Sequence, residues 1–442
     1  MTTGPSPERF DTIVVGARCA GAPLAIHLAR AGQKVLLLDA AKLPSDHPLS
    51  THFVPPIGVE WLDDLGVGDE VRRLSPPSRV MRMDLAGVRL DVAFKNGRAG
   101  HCLRRLHLDR LLQEAAAKAG AILRDQTKVV DLIREDGRVV GVEAVHAGAT
   151  HRFRAAVVVG ADGRHSTVAD LAGAKEYLGY DIPRFGYWAY WPAPPAWTQD
   201  PSFRDFDAYI GFAEGGTLRI VFQTDADLLI MGVLPLMSEL PSWKGRYDAA
   251  YLEALCSWPA TAPLVEGNQR EGKLLGLLSA RCFFREAAGP GFALVGDAGL
   301  HKDPTPGLGI TDALRDARNL GRAILSGGDE ALVRYWRRRD VDSIDLFCFA
   351  GDMSDPSYLN PLNQLFFEKA RHSPALMARL AAQADRELSP YDVVSPGTVL
   401  GWVIGAALRG RLSVVPSFFA AARRGARAAR ARRERVGLLE GL

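Results

Sequence analysis

The stretch Thr12-Ile13-Val14-Val15-Gly16-Ala17-Arg18-Cys19-Ala20-Gly21-Ala22 decides how this chain is read. A helical pattern follows it to Ala31, Gly32 stops that helix, and Val35-Leu36-Leu37-Leu38 forms a second apolar run. Apolar strands bracketing a helix predict a parallel sheet covered on both faces. Gly16 permits the sharp turn out of the first strand, and Gly21 lets the helix pack closely on the sheet. The backbone N–H groups at the start of that helix then suit a pyrophosphate. Asp39, ending the second strand, stands where an acidic side chain accepts hydrogen bonds from a ribose hydroxyl. Arg18 replaces the middle Gly of the G-x-G-x-x-G fingerprint, so the loop reads as a variant dinucleotide site. The alternative is an ordinary strand-helix-strand unit without a ligand.

With 442 residues the chain exceeds one ordinary core, and two or more lobes are expected. A net charge of +3 gives no support for nucleic-acid binding. Five cysteines (Cys19, Cys102, Cys256, Cys282, Cys348) are scattered and show no C-x-x-C spacing, which fits a reducing cytoplasm and no metal site. The opening MTTGPSPERF has no signal-peptide core. No transmembrane span is expected: the nearest candidate, Val393 to Leu408, is short and broken by Ser395-Pro396-Gly397.

Leu106 to Ala119 has helical periodicity and closes at Gly120, and Ile122 to Val142 reads as a meander with Asp136-Gly137 as its hairpin turn. Ala156-Val157-Val158-Val159 is a buried strand ending at Gly160-Ala161-Asp162-Gly163. From Arg184 to Met237 the segments alternate and are rich in aromatics, the pattern of an antiparallel sheet with one buried face. Parallel-sheet character returns at Phe292-Ala293-Leu294-Val295, and a helix runs from about Ile310 to Ser326. Beyond residue 340 the chain is mostly helical, interrupted by Pro356, Pro361, Pro374, Pro390 and Pro396. The expected fold class is α/β with two lobes: a Rossmann-like lobe on a parallel sheet, an interleaved antiparallel-sheet lobe and a helical C-terminus.

Three motifs each end an apolar strand: Gly16 to Gly21 with Asp39, Gly160-Ala161-Asp162-Gly163, and Gly296-Asp297 with Pro304, Gly307, Leu308 and Gly309. Singly each is turn punctuation. Together, and in this order, they resemble the group A flavoprotein monooxygenases of the p-hydroxybenzoate hydroxylase fold and their relatives, the geranylgeranyl reductases and flavin-dependent halogenases. Arg105-Leu106-His107-Leu108-Asp109 is similar to that family's R-x-x-L-D segment, and the likeness covers about residues 10–330. It implies an FAD lobe over 1–80, 100–180 and 280–340, a substrate-binding sheet lobe over 81–99 and 181–279, and a helical region over 341–442.

By that resemblance FAD is held by Gly16, Ala17, Arg18, Cys19, Ala20, Gly21, Asp39 and Ala40. Asp297, after Gly296, binds the ribityl chain, and Arg105 lies near the pyrophosphate or the flavin. Val129 or Val130, with Val130 the residue chosen, lines the adenine, and Asp162-Gly163 serves both FAD and the nicotinamide. Pro304, Gly307, Leu308 and Gly309 bring the backbone to the flavin ring, and the helix that follows aims its N-terminal dipole at the anionic reduced flavin. NADH or NADPH is the implied transient reductant, with O2 and a small molecule as the other partners. The implied reaction is hydroxylation or epoxidation of an aromatic or polyene-like compound in secondary metabolism, by way of a flavin C4a-hydroperoxide. Two alternatives stand beside it: an FAD-dependent reductase of prenyl or lipid double bonds, and a non-catalytic flavin-binding interaction protein. Halogenation fits poorly, because Trp188-Ala189-Tyr190-Trp191-Pro192 departs from the W-x-W-x-I-P signature of tryptophan halogenases.

His52, in Ser50-Thr51-His52, is a catalytic candidate beside the flavin, or else part of an N-cap cluster. Asp303, next to Lys302 near the expected flavin edge, is the second catalytic candidate, against a solvated loop pair. Trp188 and Tyr190 are substrate candidates, or else members of the buried face of the sheet. Ala421 to Arg435 alternates Arg with Ala at helical spacing; a solvated terminal helix is preferred, with weak membrane-surface contact as the alternative. The oligomeric state is left open.

Overall fold

The computed structural model describes residues 8–46, 50–85, 87–203, 205–212 and 214–442, with only the backbone of Glu214. Most of the opening segment searched for a signal peptide, residues 1–7, lies outside the described residues.

Around the first loop the chain folds as its pattern predicts: strand Glu8–Val15, helix Gly21–Arg30, strand Val35–Leu38. Glu8–Val15 pairs in parallel with Val35–Leu38 on one side and with Ala149–Gly160 on the other. Phe292–Leu294 extends the parallel sheet beyond Ala149–Gly160, and Ile122–Arg124 extends it beyond Val35–Leu38. Ile13, Val14 and Leu36 to Leu38 are fully buried, which is why these runs carry no polar alternation. The expected meander from Ile122 is corrected. Ile122–Arg124 belongs to the parallel sheet, and only Lys128–Glu135 and Arg138–His146 form an antiparallel hairpin. The chain breaks between them at Gln126, whose φ of 48° takes it out of extended geometry.

The second large sheet has seven strands, ordered Glu271–Leu277, Gly186–Pro192, Leu228–Leu234, Leu218–Gln223, Ala208–Phe212, Val80–Leu85, Val88–Ala93. It is antiparallel except where Ala208–Phe212 meets Val80–Leu85 in parallel. The expectation of one buried face is also corrected, because both faces are covered. Tyr187, Ala189 and Trp191 pack with Tyr251 and Leu255 of helix Tyr247–Cys256. Tyr190, Ile220 and Phe222 point the other way and pack with Phe367, Ala370 and Ala381 of the C-terminal helices.

In the helical C-terminus the five prolines are starts rather than interruptions. Pro356, Pro361, Pro374, Pro390 and Pro396 each occupy the first turn of a helical segment. The preceding Asp355, Asn360, Ser373, Ser389 and Ser395 cap those segments with side-chain oxygens. Helix Val414–Glu440 lies along helix Asp329–Ser354, where Arg432 and Arg424 meet Asp345 and Asp352. The basic tail is therefore partly neutralised by the protein itself. Among the described residues no helix is long and apolar enough to cross a membrane.

The closeness of helix Gly21–Arg30 to the sheet gives a stability test. A β-carbon on Gly21 would fall 1.8 Å from the Gly16 carbonyl oxygen, whereas one on Gly32 would meet nothing within 4 Å. Gly21→Ala is expected to cost about 3 kcal/mol through backbone overpacking. Gly32→Ala, with φ at 85°, is expected to cost about 1 kcal/mol in strain alone. Thermal melting of the two variants should show that ranking, and equal melting points would overturn it.

Candidate functional site

At the C-terminal ends of the parallel strands lies a groove of about 510 Å³. Its wall brings together Gly16, Arg18, Cys19, Ala20, Asp39, Ala40, Arg105, Asp162, Gly163, Asp297, Asp303, Pro304, Gly307, Leu308 and Gly309, drawn from segments up to 293 residues apart in the chain. Ala17, Gly21 and Gly296 lie behind this surface. Ala17 donates its N–H to Asp39 Oδ2 at 2.9 Å and accepts from Gln113 Nε2 at 2.8 Å. Gly296 has a φ of 61° and sits against the Ala20 methyl.

Asp39 holds the loop with both oxygens: Oδ2 takes the Ala17 N–H and Oδ1 takes the Ala41 N–H, at 2.9 Å each. Each oxygen keeps a second lone pair for a ribose hydroxyl. Arg18 turns to the neighbouring loop, donating to Ser45 Oγ at 3.1 Å and to the Asp46 carbonyl at 3.3 Å. Helix Arg105–Lys118 supports the loop from below with residues spaced by four, so they share one face. Arg105 pairs with Asp109 at 2.9 Å, Asp109 accepts from Cys19 Sγ at 3.1 Å, and Gln113 reaches Ala17. Burial opposes the charge on Arg105, but Asp109 outweighs it and keeps the guanidinium ionised. Burial drives the Cys19 thiol well up, so it stays protonated. The i, i+4 spacing of Arg105, Asp109 and Gln113 is a sequence signal of this support, and Gln113 lies one turn beyond the R-x-x-L-D segment.

Asp162 faces the groove and also caps helix Thr167–Ala172, accepting from Ser166 Oγ at 2.5 Å and the Val168 N–H at 3.1 Å. Its carboxyl is raised by burial. Asp297 pairs with His301 at 3.1 Å, and both residues line the groove.

Four expectations are corrected by geometry. Val130 is 41% exposed, and Val129 lines the groove in its place, since successive residues of a strand face opposite ways. His52 is fully buried with a φ of 60°; this turns its ring inward while Thr51 and Phe53 on either side line the groove. Its Nε2 lies 2.6 Å from Tyr190 Oη. Tyr190 is thus the partner of His52 in the seam between the lobes. It lies under the Arg104 guanidinium, 5.7 Å from the ring centre. Trp188 packs partly buried on the same face of the sheet, and neither ring lines the groove or the cavity beside it. Lys302 and Asp303 are not a solvated pair: Asp303 is buried, and the largely covered side chain of Lys302 reaches Asp312 at 2.7 Å. Asp303 Oδ1 accepts from the Thr305 N–H at 2.9 Å and from Thr305 Oγ1 at 2.6 Å, which sets the turn that carries Pro306 to Gly309. Burial raises the Asp303 carboxyl.

An FAD fits this donor set. Helices Gly21–Arg30 and Gly309–Ser326 both begin at the groove, and neither has a side-chain cap at its first turn. Helix Thr167–Ala172, by contrast, is capped by Ser166. The open N–H ends suit a pyrophosphate and the electron-rich edge of a reduced flavin. A β-carbon at Gly309 or Gly163 would meet nothing within 4 Å, so there is room for a flat ring and a chain beside them.

Two substitutions test the loop by titration with FAD. Asp39→Ala removes the acceptor of both the Ala17 and Ala41 N–H groups and should weaken FAD binding by about tenfold to a hundredfold. Arg18→Gly should leave the affinity within about threefold, because the guanidinium is engaged with Ser45 and Asp46. A collapse in Arg18→Gly would mean the guanidinium itself holds the cofactor.

Comparison with known proteins agrees with this geometry. A family model described as FAD binding domain matches residues 9–339. The digeranylgeranylglycerophospholipid reductase of Methanocella arvoryzae is 29% identical over 344 residues, 74% of this chain and 82% of that protein. Among solved structures, the flavin-dependent brominase Bmp2 aligns with a TM-score of 0.72 at 16% identity, over 91% of this chain and all of that one. The p-nitrophenol 4-monooxygenase PnpA from Pseudomonas putida aligns with a TM-score of 0.71 at 18% identity, over 87% of this chain and 99% of that one. The chain thus belongs to the FAD binding domain family and is an FAD-dependent oxidoreductase with the group A flavoprotein fold.

Proposed function

We propose that this enzyme is an NAD(P)H-driven monooxygenase that hydroxylates or epoxidises an uncharged, apolar aromatic or polyene-like compound. The observation that carries the substrate class is a second cavity, of about 250 Å³, that opens onto the groove. The two share Thr51, Phe53, Pro306, Gly307 and Leu308. Its wall is built from apolar residues such as Met81, Leu85, Phe222, Phe349, Met353 and Phe367. The polar side chains in it are neutral: Thr51, Thr305, Tyr358, Asn363 and Gln383. A charged substrate would lose its hydration there without finding a partner, a cost of several kcal/mol.

FAD, held by the Gly16 to Gly21 loop, Asp39, Asp297 and the Pro306 to Gly309 turn, would supply the redox chemistry, with the nicotinamide as electron donor and O2 divided between the product and water. The chain's own residues orient the reactants and keep water away. The Pro306-Gly307-Leu308 turn forms the floor common to groove and cavity, and Asp303 fixes it through Thr305. Asp303 acts here as a positioning residue. The N-terminus of helix Gly309–Ser326 stabilises negative charge that develops at the flavin edge. The apolar wall of the cavity would keep water away from the reacting atoms.

A second reading, reduction of prenyl or lipid double bonds, is favoured by the identity to the Methanocella reductase over most of its length. The same cavity would serve it. Membership of an oxidoreductase family sets aside the non-catalytic alternative.

Stopped-flow mixing under argon, followed by an oxygen electrode, separates the two readings. Oxygenation requires that NADH or NADPH bleach the bound flavin in the presence of a neutral apolar ligand, and that one O2 then disappear per nucleotide oxidised. Flavin reoxidation by the ligand without O2 uptake would give the reductase reading, and failure of both nucleotides would sink the proposal. Met83→Trp, which fills the cavity from the sheet side, should raise KM about tenfold and leave the flavin spectrum unchanged.

A further inference from the structure

Helix Pro396–Ala407 is apolar on two opposite faces. Val399, Trp402, Val403 and Ala406 pack inward against Leu362, Leu365 and Val414. Leu400, Ile404 and Leu408, spaced by four and so in line on the helix, point out and are exposed. Leu408 is 84% exposed and Leu412 is 68% exposed, both in the turn that joins this helix to Val414–Glu440. Phe419, early in that second helix, is exposed as well. A helix apolar all round is one covered on both sides, and here the protein covers only one.

The charge around this ridge indicates its cover. From Pro396 to Leu442 there are 9 Arg against 2 Glu, in a chain whose net charge is only +3. Along the second helix several arginines are matched by acids of the protein, Arg424 by Asp352 and Arg432 by Asp345. At the tip Arg411 meets Glu368, but among the described residues Arg409 and Arg423 have no carboxylate within ion-pair distance. Exposed leucines and a phenylalanine beside unmatched arginines are the chemistry of a segment lying in the headgroup region of an anionic bilayer. A second copy of the chain is a poor cover, because a symmetric contact through this tip would set arginine against arginine.

We infer that the tip of the hairpin formed by helices Pro396–Ala407 and Val414–Glu440 docks on an anionic lipid surface, with Leu400, Ile404, Leu408, Leu412 and Phe419 inserted and Arg409 and Arg423 on the headgroups. The placement brings the apolar cavity to the membrane. Phe366, in the cavity wall, lies 6.4 Å from the Trp402 ring on the inner face of the docking helix. Val394, also in that wall, precedes the helix by two residues. The docking does not depend on the reaction; only the use of the bilayer as a source of substrate rests on the proposed reading of the cavity.

Flavin-loaded protein is sedimented with vesicles of phosphatidylglycerol and phosphatidylcholine in equal parts, and with phosphatidylcholine alone, at low and high salt. Partition onto the anionic vesicles should exceed that onto the neutral ones by about tenfold and should fall with salt. Leu408→Glu/Leu412→Glu should lose about tenfold in partition, with flavin absorbance and melting temperature unchanged. Should that variant fail to fold, Arg409→Gln/Arg423→Gln gives the readout, with a loss on anionic vesicles of about tenfold. Absence of co-sedimentation, or partition indifferent to both pairs of substitutions, would overturn the inference. So would light scattering that shows a dimer converted to monomer by Leu408→Glu/Leu412→Glu, which would make a second copy the cover.

Discussion

The Gly16 carbonyl oxygen occupies the space in which a side chain on Gly21 would begin. The contact draws the start of helix Gly21–Arg30 onto the end of the central strand Glu8–Val15, and the rest of the site is arranged around that junction. On one side the Val15 carbonyl receives the Ala161 N–H at 2.7 Å, bringing Asp162 alongside. On the other the Gly16 N–H bonds the Leu38 carbonyl at 2.7 Å, bringing Asp39. Three strand ends are thereby brought to one line, and the ligand groove is the space above them.

The second constraint is ionic. Asp312, fully inside the protein, meets Lys302 at 2.7 Å, Arg386 at 2.9 Å and Arg315 at 3.1 Å. Burial disfavours its charge, yet the three cations together hold its carboxyl far below the usual range. Removing one member of such a cluster leaves the others buried and unbalanced, so it is retained as a unit. Arg386 comes from the turn after helix Pro374–Ala384, Lys302 from the loop before the Pro306 to Leu308 turn and Asp312 from helix Gly309–Ser326. A second clasp lies beside it, where Asp385 accepts from the Ile57 N–H at 2.7 Å and from Arg98 at 2.6 Å. The region beyond residue 340, outside the stretch that the family model matches, is therefore locked to the cofactor lobe. It supplies Phe349, Met353, Tyr358, Phe366, Phe367 and Leu380 to the cavity.

What the sequence disclosed follows from how local each cause is. The glycine turn, the strand-ending aspartates and the prolines that open helices are dictated by backbone sterics within a few residues, and their motifs could be read directly. Val130 was misassigned by one position because strand parity depends on where pairing begins, and the bend at Gln126 resets it. His52 was misread for a related reason: a positive φ at a non-glycine residue reverses the side chain, and nothing in Ser50-Thr51-His52 announces it. The two-faced burial of the second sheet and the apolar cavity were beyond reach, since their walls come from residues between Thr51 and Val394. Periodicity reports that a face is apolar but not what covers it.

Arg18 shows why a fingerprint need not be complete to be functional. The middle glycine of the G-x-G-x-x-G loop is required where a side chain would block the approach of the backbone to the pyrophosphate. Here the loop is held by Asp39 through the Ala17 N–H and by Gln113 through the Ala17 carbonyl, one residue before the substitution. With Ala17 fixed from both sides, the side chain of Arg18 leaves the loop toward Ser45 and Asp46. Of the three fingerprint positions, Gly16 and Gly21 are the ones where the backbone leaves no space for a side chain. The variant loop and the spaced face Arg105, Asp109 and Gln113 thus form one device: the face beneath the loop fixes Ala17, and that fixation makes an arginine acceptable above it.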